Sequence, residues 1–152
     1  MRYFFLMRKG DSQLKFDLDL ARRQSDENPV YYIQMAHARM SGIFRVGGID
    51  PGTVTGDGVD LAVLSLPEEH ELMKALLDYP ALLAGAADAL EPHRVAAYLH
   101  ETAGNVHLWY HKAHVLNEPE PITRARLVLA RAAQIVIRNG LAVLGITAPD
   151  RM

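Results

Sequence analysis

Apolar residues recur along this chain three and four positions apart, the spacing of a helix face, and almost nowhere in strict alternation. The one stretch with a strand-like look is Tyr3–Met7, within the apolar opening MRYFFLM. Residues 8–16, RKGDSQLKF, are polar and read as a loop. Asp17 to Gln24 predicts a short helix that contacts its surroundings through Leu18, Leu20 and Ala21. In the SDENP segment that follows, Asn28 suits an N-cap. Pro29 suits the first helical position, where its missing N–H costs nothing. A helix should run from there to about Arg45 and stop at Gly47-Gly48. Ile33, His37, Met40 and Phe44 form one stripe on it, and Tyr32, Ala36, Arg39 and Ile43 the adjacent one. Coverage that broad implies a helix packed on more than one side.

Residues 47–60 hold five Gly, one Pro and three Asp and predict a long, mobile surface loop. Pro67, followed by Glu68 and Glu69, restarts helix, with Ser65 or Leu66 ahead of it, and this helix should reach Leu77. A second helix is expected from Pro80 to Leu90. A long one follows from about His93 to Leu116, opened by Pro92 and ended by Asn117-Glu118-Pro119-Glu120-Pro121. The final helix should span Ile122 to Leu144, with Gly140 inside it or at a fray and Gly145 as its stop, before the tail TAPDRM. The sum is an all-α fold, a bundle of about five helices.

Composition narrows the picture without changing it. The 152 residues are 49% hydrophobic and 22% charged, which suits one globular domain with a real core. A net charge of −2 excludes a protein that coats nucleic acid by bulk charge, but leaves room for a local basic face. The absence of cysteine excludes disulfides, Cys-based zinc sites and thiol nucleophiles. No stretch approaches the roughly 18 apolar residues of a membrane span, and the opening is too short for a signal peptide's apolar region. Tyr3, Phe4, Phe5, Leu6 and Met7 all favour burial, so the chain is expected to begin inside a structural element, as a piece of something longer.

Candidate chemistry concentrates on the last two helices. On the long one, Val95, Tyr98, Leu99, Thr102, Val106, Trp109 and Ala113 fall on one side, and His100, His107, His111 and His114 stand opposite. The spacing His107-x3-His111-x2-His114 could hold a metal from one helix face, but no carboxylate or cysteine joins it, and it reads as a solvated polar face that happens to use His. On the last helix, Arg124, Arg131 and Arg138 stand seven apart and form a row of planar donor forks suited to phosphates, or simply to solubility. No Walker or Rossmann glycine loop occurs, and no Ser–His–Asp order stands out. On residues alone, the reading is a helical binding module with a basic edge and a histidine edge.

Three stretches carry a resemblance. They are DENPVYYIQ (26–34) with AHAR (36–39), YLHETA (98–103), and LGITAPDRM (144–152). Together they resemble the C-terminal part of bacterial-type arginyl-tRNA synthetases. Arg124-Ala125-Arg126-Leu127 with Leu129-Ala130 is similar to the motif that gives the DALR anticodon-binding domain its name. Residues 1–24 look like the end of the same enzymes' catalytic region, which leaves 25–152 as the helical DALR domain. The HIGH-type and KMSK-type motifs of the catalytic region are absent.

The resemblance therefore implies a domain that recognises the anticodon stem and loop of arginine tRNA in the cytoplasm. It would work beside a catalytic domain that uses ATP and Mg, and by itself it would be inactive and hold no cofactor. A free-standing helical RNA- or partner-binding module is the alternative. No membrane or DNA partner is implied. The family motifs place Tyr32, His37 and Arg39 on a helix facing the tRNA, and Arg151 and the Met152 carboxylate end at the anticodon loop. Tyr98 and Trp109 would supply base stacking, Asn105 base-edge hydrogen bonds, and Arg124, Arg131 and Arg138 phosphate contacts.

Overall fold

The structure, a computed structural model, describes residues 2–8 and 17–152. Among the described residues there are six α-helices and no strand: α1 (Arg2–Leu6), α2 (Leu18–Arg22), α3 (Pro29–Gly47), α4 (Pro67–Asp88), α5 (Pro92–Lys112) and α6 (Glu120–Val143). The four long helices make the bundle. α5 runs through its middle, packed on α3, α4 and α6, and α3 also lies along α6. Ile33, Met40 and Phe44 from α3 meet Leu72 from α4, Leu99 and Trp109 from α5, and Ile137 and Leu141 from α6, all essentially sealed from water. Each such side chain contributes about 1.5–3 kcal/mol by leaving water.

Local chemistry sets the helix ends. Asp17 caps α2 by accepting from the Asp19 and Leu20 amides. The Asn28 side-chain oxygen accepts from the Val30 and Tyr31 amides, and its Nδ2 donates to the Arg23 carbonyl at 2.8 Å, so one residue both starts α3 and ties α2 to it. α3 and α6 end on left-handed Gly48 and Gly145 (φ 62° and 67°), with the next amide reaching back to the Phe44 and Leu141 carbonyls.

Four expectations need correction. Tyr3–Met7 is not a strand, because Arg2–Leu6 is helical. Its Tyr3 and Phe4 are buried, and the Tyr3 hydroxyl donates to the Ala96 carbonyl at 3.0 Å. Pro80 does not separate two helices but lies inside a single α4. It deprives the Leu76 carbonyl of a partner, yet it is exposed, and packing on α5 holds both flanks. There Tyr79 stacks on Tyr98 at 5.7 Å, and the Tyr98 hydroxyl donates to the Ala75 carbonyl at 2.7 Å.

α5 ends at Lys112, four residues before the expected Leu116. From there the chain runs irregularly, burying Ala113 and Val115 while His114 stays outside. The 47–60 loop is not slack. Asp50 and Asp60 cap 3₁₀ turns at Pro51–Thr53 and Leu61–Val63, and Val54, Val59 and Val63 pack on the core. Residues 9–16, expected as a loop, lie outside the described residues.

A buried ion pair fixes the turn between α5 and α6. Glu69 is fully buried, and its two carboxylate oxygens accept from Arg126 Nε at 2.7 Å and from the Leu66 amide at 2.9 Å. Arg126 Nη1 donates in turn to the His114 carbonyl at 2.7 Å. Removing one partner of such a pair costs about 3–5 kcal/mol.

Candidate nucleic-acid interface

A groove of about 540 Å³ lies between α3 and the segment 113–117, with Arg151 and Met152 at one end. It is hollow because α3 turns small residues, Ala38 and Gly42, toward it. Arg39, Arg45 and Arg151 bring positive charge to its walls, Tyr110 an aromatic face, and Asn117 an amide. A second hollow of about 440 Å³ lies across the tail, lined by Arg22, Arg23, Tyr31 and Gln34 and again by Arg151 and Met152. The last two residues thus form a ridge between two basic hollows, in a protein whose overall charge is negative.

The tail that carries this ridge is bonded to α3 along its length. Gln34 Nε2 donates to the Thr147 carbonyl at 2.8 Å, and His37 Nδ1 to the Pro149 carbonyl at 3.0 Å. Arg45 Nη1 donates to the Asp150 carbonyl at 3.2 Å. Behind Asp150 stands a relay whose middle is buried: Arg131 Nη1 donates to Gln134 Oε1, Gln134 Nε2 to Ser41 Oγ, and Ser41 Oγ to Asp150 Oδ1 (2.6, 2.8 and 2.9 Å). Arg138 Nη2 is 3.5 Å from the same carboxylate oxygen. His37 is fully buried and its Nε2 has no partner among the described residues. Burial lowers its pKa, and the bond to the Pro149 carbonyl offsets this in part.

On the opposite wall, Arg39 Nη1 donates to His107 Nδ1 at 2.7 Å, and the Arg39 guanidinium sits 5.4 Å from the Tyr110 ring centre. His107 is buried, its Nε2 lies 3.1 Å from the Tyr32 carbonyl oxygen, and the Tyr32 ring meets it edge-on at 4.4 Å. Burial holds the His107 pKa below its ordinary value; the Tyr32 carbonyl opposes this and the Arg39 charge adds to it.

These placements sort the expected residues. Arg39, Arg151 and Met152 come together at the groove. Tyr32 is half-buried behind it, its ring 5.2 Å from that of His100, and Asn105 is half-buried on α5. Trp109 is wholly inside the bundle and Tyr98 is buried against Tyr79, so neither offers a face to a base. His37 faces the tail and not solvent.

The arginine row does not act as one. Arg124 is exposed, Arg131 is committed to Gln134, and Arg138 leans on Asp150. The histidine face is broken as well, since His107 is buried and His114 lies beyond the helix. Among the described residues, no three His, Asp or Glu side chains converge as a metal site. Arg45, Tyr110 and Asp150 were missed. The signal for Arg45 is a third stripe on α3, Met35, Ala38/Arg39, Gly42 and Arg45/Val46, whose small members betray a hollow rather than a core contact.

The DALR anticodon binding domain family matches residues 33–152. Arginine–tRNA ligases of Citrifermentans bemidjiense and of Geobacter sp. strain M21 are each 50% identical over 155 aligned positions. The alignments take in 99% of this chain and 27% of each relative. The chain therefore spans about a quarter of the length of these relatives. The solved Thermus thermophilus arginyl-tRNA synthetase superposes with a TM-score of 0.83 at 30% identity, covering 99% of this chain and 26% of that one.

Proposed function

The chain belongs to the DALR anticodon-binding domain family of arginyl-tRNA synthetases, and from that premise we propose that it recognises the anticodon stem and loop of an arginine tRNA. The observation that carries this reading is the groove. Arg39, Arg45 and Arg151 surround an opening wide enough for an unstacked base, with the Tyr110 ring on one wall and a tail held in place by α3. Arginine forks can take phosphates or base edges, while Tyr110 offers a π-face that tolerates any base.

The domain works in the cytoplasm beside a catalytic domain that charges the tRNA. ATP and magnesium belong to that catalytic part. The described residues fit neither, having no converging carboxylates and no glycine-rich phosphate loop, so no chemical step is assigned to this chain. The test is fluorescence anisotropy of labelled arginine tRNA against an unrelated tRNA, with Arg45→Gln as the probe variant. Tighter binding of the arginine tRNA is expected. Arg45→Gln should weaken it and lower the salt slope by about 0.7–0.9, the loss of one phosphate-type contact. Equal binding of both tRNAs, unchanged by the variant, would leave the bundle as a partner-binding module instead.

A further inference from the structure

Arg39 reaches the groove in the grip of two groups that carry no charge. A guanidinium has donors and no acceptor, so the His107 Nδ1 that stands 2.7 Å from it must present a lone pair. The ring proton is then on Nε2, where it is donated to the Tyr32 carbonyl oxygen at 3.1 Å. Both nitrogens are spoken for, and the ring is neutral with its tautomer set from two sides. His107 is only 7% exposed and the Tyr32 ring packs on it edge-on, so the imidazole has no room to turn. The second group is the π-face of Tyr110, on the groove wall. Among the described residues, no carboxylate stands within ion-pair distance of Arg39. Asp150 shows the contrast, since its carboxylate lies 3.5 Å from Arg138 Nη2 on the far side of the tail.

A carboxylate would aim an arginine more strongly, but it would also cancel the charge that an RNA strand needs to meet. We propose that His107 is a positioning residue for RNA recognition: as a neutral acceptor it aims Arg39 into the groove and leaves the guanidinium charge uncompensated for a phosphate or base edge. The inference rests on the reading of the groove as the RNA site. It makes a specific demand at position 107, namely one acceptor toward Arg39, one donor toward the Tyr32 carbonyl, and no charge. Glutamine meets all three conditions. Leucine fills the space and meets only the last. Glutamate holds Arg39 but neutralises it.

The experiment uses the 152-residue chain and an RNA hairpin carrying the anticodon stem and loop of an arginine tRNA. Binding is read by anisotropy at several salt concentrations, and folding by circular dichroism. His107→Gln should bind within about threefold of the parent with the same salt slope. His107→Leu should bind about tenfold more weakly, the loss of one charge-assisted bond. His107→Glu should fold yet bind weakly, with a slope lower by about 0.7, one contact. Adding Arg39→Gln to His107→Leu should cost nothing further, because the two residues act as a unit.

If Arg39→Gln weakens binding while His107→Leu matches the parent, Arg39 needs no positioning and the inference is overturned, with the groove reading intact. If His107→Leu fails to fold, the Gln and Glu variants decide: equal affinity and equal slope for the two overturns it. A parent chain that does not bind the hairpin at all removes the groove reading itself and the inference with it.

Discussion

His37 and His107 are sealed into the bundle as neutral rings, which ties the stability of the fold to acidity. Unfolded, each ring titrates near its ordinary value of about 6.5. Folded, burial holds both below it. Between those values the unfolded chain binds more protons than the native one. Stability is therefore full above about pH 6.5 and falls as the pH drops through that value toward the folded pKa values. Urea unfolding at pH 7.5 and at pH 5.5 should show the lower midpoint at 5.5, and the gap should narrow in His107→Gln. Equal midpoints at the two pH values would show that neither ring is buried neutral. The same two residues mark where sequence and structure part. The apolar periodicity of α5 already put Tyr98 and Trp109 on its core side, and the structure keeps them there. Reading them as stacking platforms followed their side-chain type against their phase. His107 stood opposite that side and was read as solvated, because a single helix does not reveal that α3 will cover it.

Among the elements, ends were legible where local chemistry sets them and illegible where packing does. Asn28-Pro29, Gly48 and Gly145 act through their own backbone and neighbours, and each ends a helix where expected. Pro80 was read as a boundary because its missing N–H is a local fact. What overrides it, the Tyr79–Tyr98 stack and the bond to Ala75, is a contact across 19 residues and more. The early end of α5 depends likewise on Arg126, which reaches the His114 carbonyl from the next helix. Gly140 lies inside α6 because α5 comes too close for anything larger. A Cβ there would stand 2.5 Å from Leu99 Cδ2, and Leu99 is itself fully buried. Gly140→Ala should destabilise the fold by about 1–3 kcal/mol despite alanine's better helix propensity, read as a lower urea midpoint. Between α4 and α5, Leu90 sits in the left-handed region at φ 55° with its side chain 87% exposed. Leu90→Gly relieves that conformation and should raise stability by about 1 kcal/mol, visible as a higher Tm.

At the scale of the molecule, the bundle and the groove have different origins. The bundle follows from the helix stripes and was readable as such. The groove is made by parts distant in sequence, α3 near residue 40, the 113–117 turn and the tail at 150, which only folding brings together. Of its residues, sequence resemblance supplied Arg39, Arg151 and Met152, while Arg45 and Tyr110 appear only once the walls are in place. If ATP is handled by the separate catalytic part, as proposed, the purified chain should show no arginine-dependent ATP–pyrophosphate exchange; measurable exchange would contradict that proposal. The pinning of residues 147–150 to α3 also has a consequence in time. A ribosome delivers the chain from its N-terminal end, so α3 emerges more than 100 residues before the tail that bonds to it. Every fully buried apolar side chain of the bundle precedes residue 145, but the ridge between the two hollows follows it. A chain cut short before Thr147 should therefore keep the helical bundle while losing the ridge, and on the proposed reading it should bind arginine tRNA more weakly than the parent in an anisotropy titration.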